Sequence, residues 1–489
     1  MLFTSIYFGL FFLVVFLVYW LLCNKKTSLQ NIVLLGAGYY FYGSWDYRFL
    51  LLLIGVSFFN YFMGLLIGRA DQRLLRKLWL IVGIIADAGI LVLFKYYDFF
   101  QIELKTLLTS WNIPFTVHTL KLFVPLGISF YIFLSISYLV DIYRRHLEPE
   151  KNPLNALLTF GFFPIVLAGP IQRPVSLLPQ IRSMRLFDRE LATDGLRQFL
   201  WGLAVKMVIA DNCAVYVDKV FANDSYEGST LFYGALFFTI QIYADFSSYS
   251  DMAIGISKML GFRLMRNFNY PYFATDIADF WRRWHISLTS WFRDYIFLPL
   301  AYLLSKKIKR ERLLFIPSDL LIYSISLLFT WMLTGLWHGA NTTFIIWGLI
   351  HAVLLVIHHA VRKPKKWLLG RYKMHHDVLF LSFQRIYTLF FVIVSWIFFR
   401  VQELPQAISY LERTLKLSLF SPPKDFPTPM ILPLFVFFMT EWLQRDRQHG
   451  LDLTGAPKTK FLRWSVYLGI LLVMFFYQVK QQNFIYFKF

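Results

Sequence analysis

The sequence predicts an all-α polytopic membrane protein, on three observations. The 489 residues are 57% hydrophobic and 20% aromatic but only 16% charged, whereas a soluble domain is about 45–50% apolar and about 25% charged; lipid must be part of the solvent. The apolar residues fall in runs of about 20, the length that crosses a bilayer as a helix. The charged residues collect between the runs, 49 basic against 29 acidic, for a net charge of +20. The same figures exclude a disordered chain, which is poor in apolar residues. They exclude a disulfide scaffold, because Cys23 and Cys213 adjoin or lie within apolar runs. They argue against a nucleic-acid partner, since the basic residues sit between spans and not along one polar face.

Taken in order, about twelve segments are long and apolar enough to be candidate spans: 5–22, 29–44, 49–68, 78–97, 120–140, 195–217, 230–256, 319–337, 342–361, 378–399, 427–444 and 464–480. The second is short and needs thin bilayer or protein neighbours. The first has no basic n-region and no small-residue cleavage site, so it is expected to stay as a helix. Two further segments are expected to be broken or re-entrant: 155–172, interrupted by Pro164, Gly169 and Pro170, and 270–304, which mixes Trp clusters with Asp, Arg and His. Irregular backbone at membrane depth is tolerated only inside protein or beside a wet cavity. With no repeat, linker or long inter-span loop, residues 1–489 are expected to form a single membrane-embedded domain, with the motifs concentrated in 120–350.

The loops set the orientation. RADQRLLRK (69–77), SKKIKRER (305–312), RKPKKWLLGRYK (362–373) and 445–463 are basic, whereas 218–229 carries Asp218, Asp224 and Glu227 against Lys219 alone. Placing each basic loop in the cytoplasm, with both broken segments returning to the side they left, puts both termini outside the cytoplasm.

Ionisable groups inside apolar runs are costly and mark candidate sites. His338, in GLWHGANTT, falls at the turn of a helical hairpin whose ends carry cytoplasmic loops. Gly339 there permits a turn or close approach, and Asn341 can cap the next helix. Histidine is suited to proton transfer near neutral pH, but a structural His bonded to a carbonyl fits equally well. In DFWRRWHISLTSWFRDYIFLPL (279–300), a continuous helix would put Trp281, Trp284, His285 and Leu288 on one face and let Asp279 pair with Arg283. This stretch reads either as an interfacial Trp-belt helix or as an embedded site. YADFSSYSDMAIG (243–255) brings Asp245, Ser248 and Asp251 into an apolar span, as a packing network or as a cavity wall. His351 is expected to be a packed helix residue or a group supporting a site from behind, His358 and His359 interfacial, and His375–His376–Asp377 lacks further ligands for a metal.

Together these segments resemble the membrane-bound O-acyltransferase family. The resemblance rests on VPLGISFYIFLSISYLVDIYRR (124–145), FFPIVLAGPIQRP (162–174), WGLAVKMVIADN (201–212), the 243–255 stretch, NFNYPYFATDIADFWRRWHISLTSWFRDYIFLPL (267–300), GLWHGANTTFIIWG (335–348), VSWIFFR (394–400) and the terminal FIYFKF (484–489). It covers most of the chain and thins between 401 and 480. One departure is Ser248, where the family more often has glycine. Within the family the chain is most similar to the branch that O-acetylates alginate, with YYFYGSWDYRFLLLL (39–53) adding to that likeness.

The resemblance implies a ring of helices around a central tunnel. His338 would be the family's nearly invariant histidine and His285 its second, both lining the tunnel, and Asn341, Trp337, Trp284, Asp245, Ser248 and Asp251 are further tunnel candidates. No metal and no bound cofactor are expected. The expected reaction passes an acyl group, most simply acetyl from acetyl-CoA, from the cytoplasm to an extracytoplasmic acceptor for polysaccharide O-acetylation at a bacterial inner membrane. Expected partners are the bilayer, an acyl-CoA or acyl-carrier donor, and either the polysaccharide or a separate extracytoplasmic serine acetyltransferase of the SGNH type. The alternatives are D-alanyl transfer from a carrier protein and, in another class, a transporter or lipid-carrier flippase.

Overall fold

A computed structural model describes residues 1–23, 26–313, 315–371, 377–453 and 459–485. His375, His376 and the last four residues of FIYFKF therefore lie outside the described residues. Within them, six helices are long and apolar enough to cross a membrane: Tyr47–Arg69, Arg73–Ser110, Arg189–Phe221, Ser318–His338, Thr342–Arg362 and Val378–Arg400. Ile6–Leu22, Ile128–Tyr143 and Thr428–Leu443 are shorter apolar helices. The other three expected segments fall on the helices Thr27–Gly43, Ser229–Met259 and Lys460–Phe476.

Proline and glycine account for the main departures from expectation. The segment expected over 120–140 becomes helical only at Ile128, because Gly127 takes a left-handed conformation (φ 73°) two residues after Pro125. No L-residue adopts that conformation cheaply, and a Cβ there would lie 2.1 Å from the Val166 carbonyl. The segment 155–172 is broken into Pro153–Gly161 and Phe163–Val166. The segment 270–304 is broken into Ile277–Arg283, Ile286–Phe292 and a stretch running through Leu298–Lys307.

The chain groups into two compact units, one of residues 1–200 and 249–265, the other of 201–248 and 266–489. In the first, Ile128–Tyr143 is largely buried, packing against Tyr47–Arg69 and Arg73–Leu91. Small residues allow the approach: Gly64 faces the Tyr138 ring and Gly83 faces Leu139. This is the packing expected where lipid and protein are equally apolar and contact, not hydrophobicity, joins helices. Buried Arg185 donates to Tyr19, Asn31 and three backbone carbonyls, which satisfies a guanidinium that, among the described residues, pairs with no carboxylate.

The second unit is built on the hairpin Ser318–His338 and Thr342–Arg371, with Val378–Arg400 against its second arm. Gly335 and Gly348 let the arms meet backbone to backbone; a Cβ on either would fall within 2.3 Å of a main-chain oxygen opposite. A buried ionic cluster lies in the same unit. Lys206 Nζ is 2.6 Å from Asp245 and 2.7 Å from Asp211, and it donates to the Gln482 carbonyl. Asp245 accepts the Ile485 N–H at 2.6 Å, and Asn212 donates to the Tyr477 carbonyl. The cluster clasps the C-terminal stretch 477–485.

Candidate active site

His338 ends the first hairpin arm. Gly339 follows in an extended conformation (φ −171°), so its use is close approach, not a left-handed turn: a Cβ would fall 2.3 Å from the Phe344 ring. Asn341 caps the second arm, its Oδ1 accepting the Thr343 N–H at 3.0 Å. Its Nδ2 donates to the Gln402 carbonyl, and Thr343 Oγ1 donates to that of Val401. The turn is thus stitched to the end of Val378–Arg400. Asn341 positions the loop, with its amide engaged on backbone. The His338 imidazole is buried, with ring centroids 4.8 Å from Trp337, 5.0 Å from Trp347 and 5.0 Å from Phe399.

His285 is placed differently. The shared helical face expected for Trp281, Trp284, His285 and Leu288 does not form, because the helix stops at Arg283, Trp284 is extended and His285 is left-handed (φ 42°, ψ 53°). A non-glycine residue there costs about 1–2 kcal/mol, and Asn267 holds it. The Asn267 carbonyl accepts the Ile286 N–H at 2.8 Å. Its Oδ1 accepts from Ser287 N and Ser287 Oγ at 3.3 and 2.9 Å. Since that atom accepts two donors it is the oxygen, so His285 Nδ1, 3.1 Å away, must donate to it. The neutral ring then carries its lone pair on Nε2. The expected Asp279–Arg283 pair forms at 3.0 Å.

Trp337 brings the two histidines together, its ring centroids 6.0 Å from His285 and 4.8 Å from His338. Trp284 lies in the adjoining aromatic layer, against Phe268 and Trp396. The other candidates lie elsewhere. Asp245 is committed to the ionic cluster, Ser248 Oγ donates to the Asp245 carbonyl one turn back on its own helix, and Asp251 belongs to the other unit, where it accepts from Gln198 at 2.7 Å. For these three the packing-network reading is the one the contacts match.

A partly open pocket of about 340 Å³ lies beside the hairpin turn. Gly339, Asn341 and Phe344 line it from the hairpin, Phe399 and Arg400 from the end of the next helix and Gln402 from the residues just after it, with Asp218, Gln241 and Ile485. Of its lining rings, Phe399 and Phe344 both lie against the His338 ring, at 5.0 and 6.5 Å between centroids. Arg400 pairs with Asp218 at 2.8 Å and lies over the Phe221 and Phe238 rings.

His351 is enclosed by Trp281, Trp331 and Trp347, and its Nδ1 accepts the Trp281 indole N–H at 3.3 Å, as expected of a packed residue. The His359 ring stacks on Tyr323. Among the described residues no three His, Cys, Asp or Glu side chains gather as a metal site. Sequence reasoning missed Asn267, Lys206, Asp211 and Gln241. Lys206 and Asp211 carried a readable signal, as charges inside an apolar span; Asn267 acts through a partner 18 residues away, and Gln241 stands out only by its place in the pocket wall, neither of which a local pattern marks.

These features define a helical, multi-pass membrane protein with two buried histidines beside a polar pocket. The family model for MBOAT, the membrane-bound O-acyltransferase family, matches residues 91–398. The chain is 38% identical over 417 residues to the probable alginate O-acetylase AlgI of Pseudomonas aeruginosa, covering 83% of this chain and 73% of that one. It is 36% identical over 479 residues to the corresponding protein of Azotobacter vinelandii, covering 94% and 88%. It is 34% identical over 422 residues to a peptidoglycan O-acetyltransferase of Helicobacter pylori, covering 79% and 74%. The chain belongs to the MBOAT family and is an O-acyltransferase.

Proposed function

We propose that this protein transfers an acetyl group from acetyl-CoA on the cytoplasmic side of a bacterial inner membrane to a hydroxyl presented on the outer side, for O-acetylation of a cell-surface polysaccharide. The supporting observation is the pair of buried histidines on one indole, Trp337, beside a polar pocket. The relatives that match most of the chain are named for O-acetylation of alginate and peptidoglycan. In this reading a tunnel joins the two faces, both termini are extracytoplasmic, and the basic cytoplasmic loops attract the phosphates of the donor.

His338 takes the proton from the acceptor hydroxyl as that oxygen attacks the thioester carbonyl. The C–O bond forms, the C–S bond breaks, and the leaving thiolate recovers the proton from His338. His285, its Nδ1 fixed on Asn267, presents the Nε2 lone pair to the reacting groups and helps orient the acceptor, while backbone N–H groups donate to the oxyanion. Trp337, Trp347 and Phe399 keep water away from the thioester. The immediate acceptor is a hydroxyl of the polymer or the serine of a separate exported acetyltransferase of the SGNH type.

The experiment is transfer of labelled acetyl from acetyl-CoA by the purified protein in liposomes, paired with mass analysis of surface polysaccharide from cells carrying His338→Ala. Loss of the acetyl increment is expected, with a rate lower by about 10²–10⁴-fold. A folded His338→Ala protein with full activity would refute the assignment. A strict requirement for a carrier protein, with no response to acetyl-CoA, would establish D-alanyl transfer instead.

A further inference from the structure

The pocket beside the hairpin turn contains a polar group that the mechanism leaves unused. Gln241 lines it and is more than nine-tenths buried. Its Oε1 finds no hydrogen-bond partner among the described residues. A buried amide oxygen without a donor costs about 1–3 kcal/mol, and such groups are rare in native proteins. The buried atom left without a partner is an acceptor, which an O–H or N–H would satisfy.

The surroundings indicate what supplies it. Asp218 and Arg400 add a carboxylate and a guanidinium, held together at 2.8 Å, and the guanidinium lies over the Phe221 and Phe238 rings. Acceptors and donors therefore alternate around one small space. About 340 Å³ is at the small end of ligand pockets and suits one ring-sized polar unit better than a folded loop of another protein. Phe399 and Phe344, which separate this space from the His338 ring, put such a unit next to the proposed base.

Resting on the acyl-transfer reading above, we propose that Gln241, with Asp218 and Arg400, forms the acceptor subsite and binds one hydroxyl-bearing sugar unit. Gln241 Oε1 accepts from a hydroxyl other than the one acylated, and Arg400 donates to the ring substituents. Gln241 is a positioning and specificity-determining residue; the bond-making steps remain those at His338.

The test uses the full chain in liposomes with acetyl-CoA and two acceptor probes, an oligomannuronate and a serine-containing peptide. Gln241→Met, which keeps the volume and removes the acceptor atom, is expected to raise the oligomannuronate KM by about 10–100-fold, with a far smaller effect on kcat. Gln241→Glu, which keeps acceptor oxygens, is expected to restore most of the affinity. An unmoved KM in a folded Gln241→Met protein would overturn the proposal, as would a fall in kcat alone, the mark of a structural role. Acetylation of the peptide but not of the oligosaccharide would overturn the sugar assignment while leaving acyl transfer intact. Wild-type protein that transfers acetyl to neither probe would refute the underlying reading itself.

Discussion

Two polar clusters in the second unit are built on opposite rules. Around Lys206, charges meet charges: one ammonium lies against two carboxylates, and Asp245 also takes a backbone N–H. Around His338, an ionisable ring meets aromatic faces and edges. Both clusters are buried in apolar spans, where ionisable groups are expensive. In the first, the groups are spent on one another, which fixes a segment of chain. In the second, an imidazole ring is packed among aromatic side chains. Polarity inside a membrane span therefore does not by itself mark a candidate site; what packs against each polar group has to be read as well.

The largest expected effect separates the clusters by substitution. His338→Ala should abolish acetyl transfer, by the factor given above, while the purified yield and melting temperature in detergent stay near those of the wild type. Lys206→Met should do the reverse at the level of the fold. It leaves Asp211 and Asp245 buried without a countercharge, a loss of about 3–5 kcal/mol, to be read as low yield and a lowered unfolding temperature. A stable, fully folded Lys206→Met protein that had lost only activity would break the comparison.

A middle-sized effect is expected at Asn267. Its side chain sets the tautomer of His285 and its carbonyl supports the left-handed backbone there. Asn267→Ala removes the first and keeps the second, so transfer should fall by about tenfold or more, with little change in acceptor KM. Asn267→Asp, which retains an oxygen facing Nδ1, should lose less. Equal rates for both variants and the wild type would show that the orientation of His285 is immaterial.

Much of this molecule was legible in its sequence, and the illegible parts share a cause. Spans such as 319–337 and 342–361 were readable because runs of apolar residues and basic ends are local signals, and the hairpin turn at Gly339–Asn341 followed from the spacing between them. The Trp281–Leu288 face was misread because periodicity assumes an unbroken helix. Here Trp284 and His285 leave helical geometry under bonds from Asn267, 18 residues away from His285. Asp245 and Asp251 looked alike, six positions apart in one polar stretch, yet one pairs with Lys206 and the other with Gln198. Their roles depend on which helix arrives opposite, and no spacing within the stretch encodes that.

The smallest effect concerns an exposed ion pair that sharpens the contrast with Lys206. Asp425, in the segment after Leu404–Thr414, accepts from the Tyr226 hydroxyl at 2.6 Å and pairs with Lys219 at 3.0 Å. The Tyr226 hydrogen bond, then that from Lys219, holds the Asp425 carboxyl below its ordinary value. The folded form thus prefers the charged carboxylate more than the unfolded chain does. This contribution is complete above the unfolded pKa, near 3.9 for an aspartate, and is lost as pH falls through the lower folded value. Both side chains of the ion pair are about half exposed, so solvent and salt screen it, and exposed pairs contribute little. Hydrogen exchange across the loop around Asp425 should therefore stay slow down to about pH 4 and quicken only in stronger acid. High salt or Asp425→Asn should quicken it slightly at neutral pH, without change in acetyl transfer or global unfolding. A global loss of stability on Asp425→Asn would place this exposed pair in the same class as the buried one, and the distinction drawn from burial would fail.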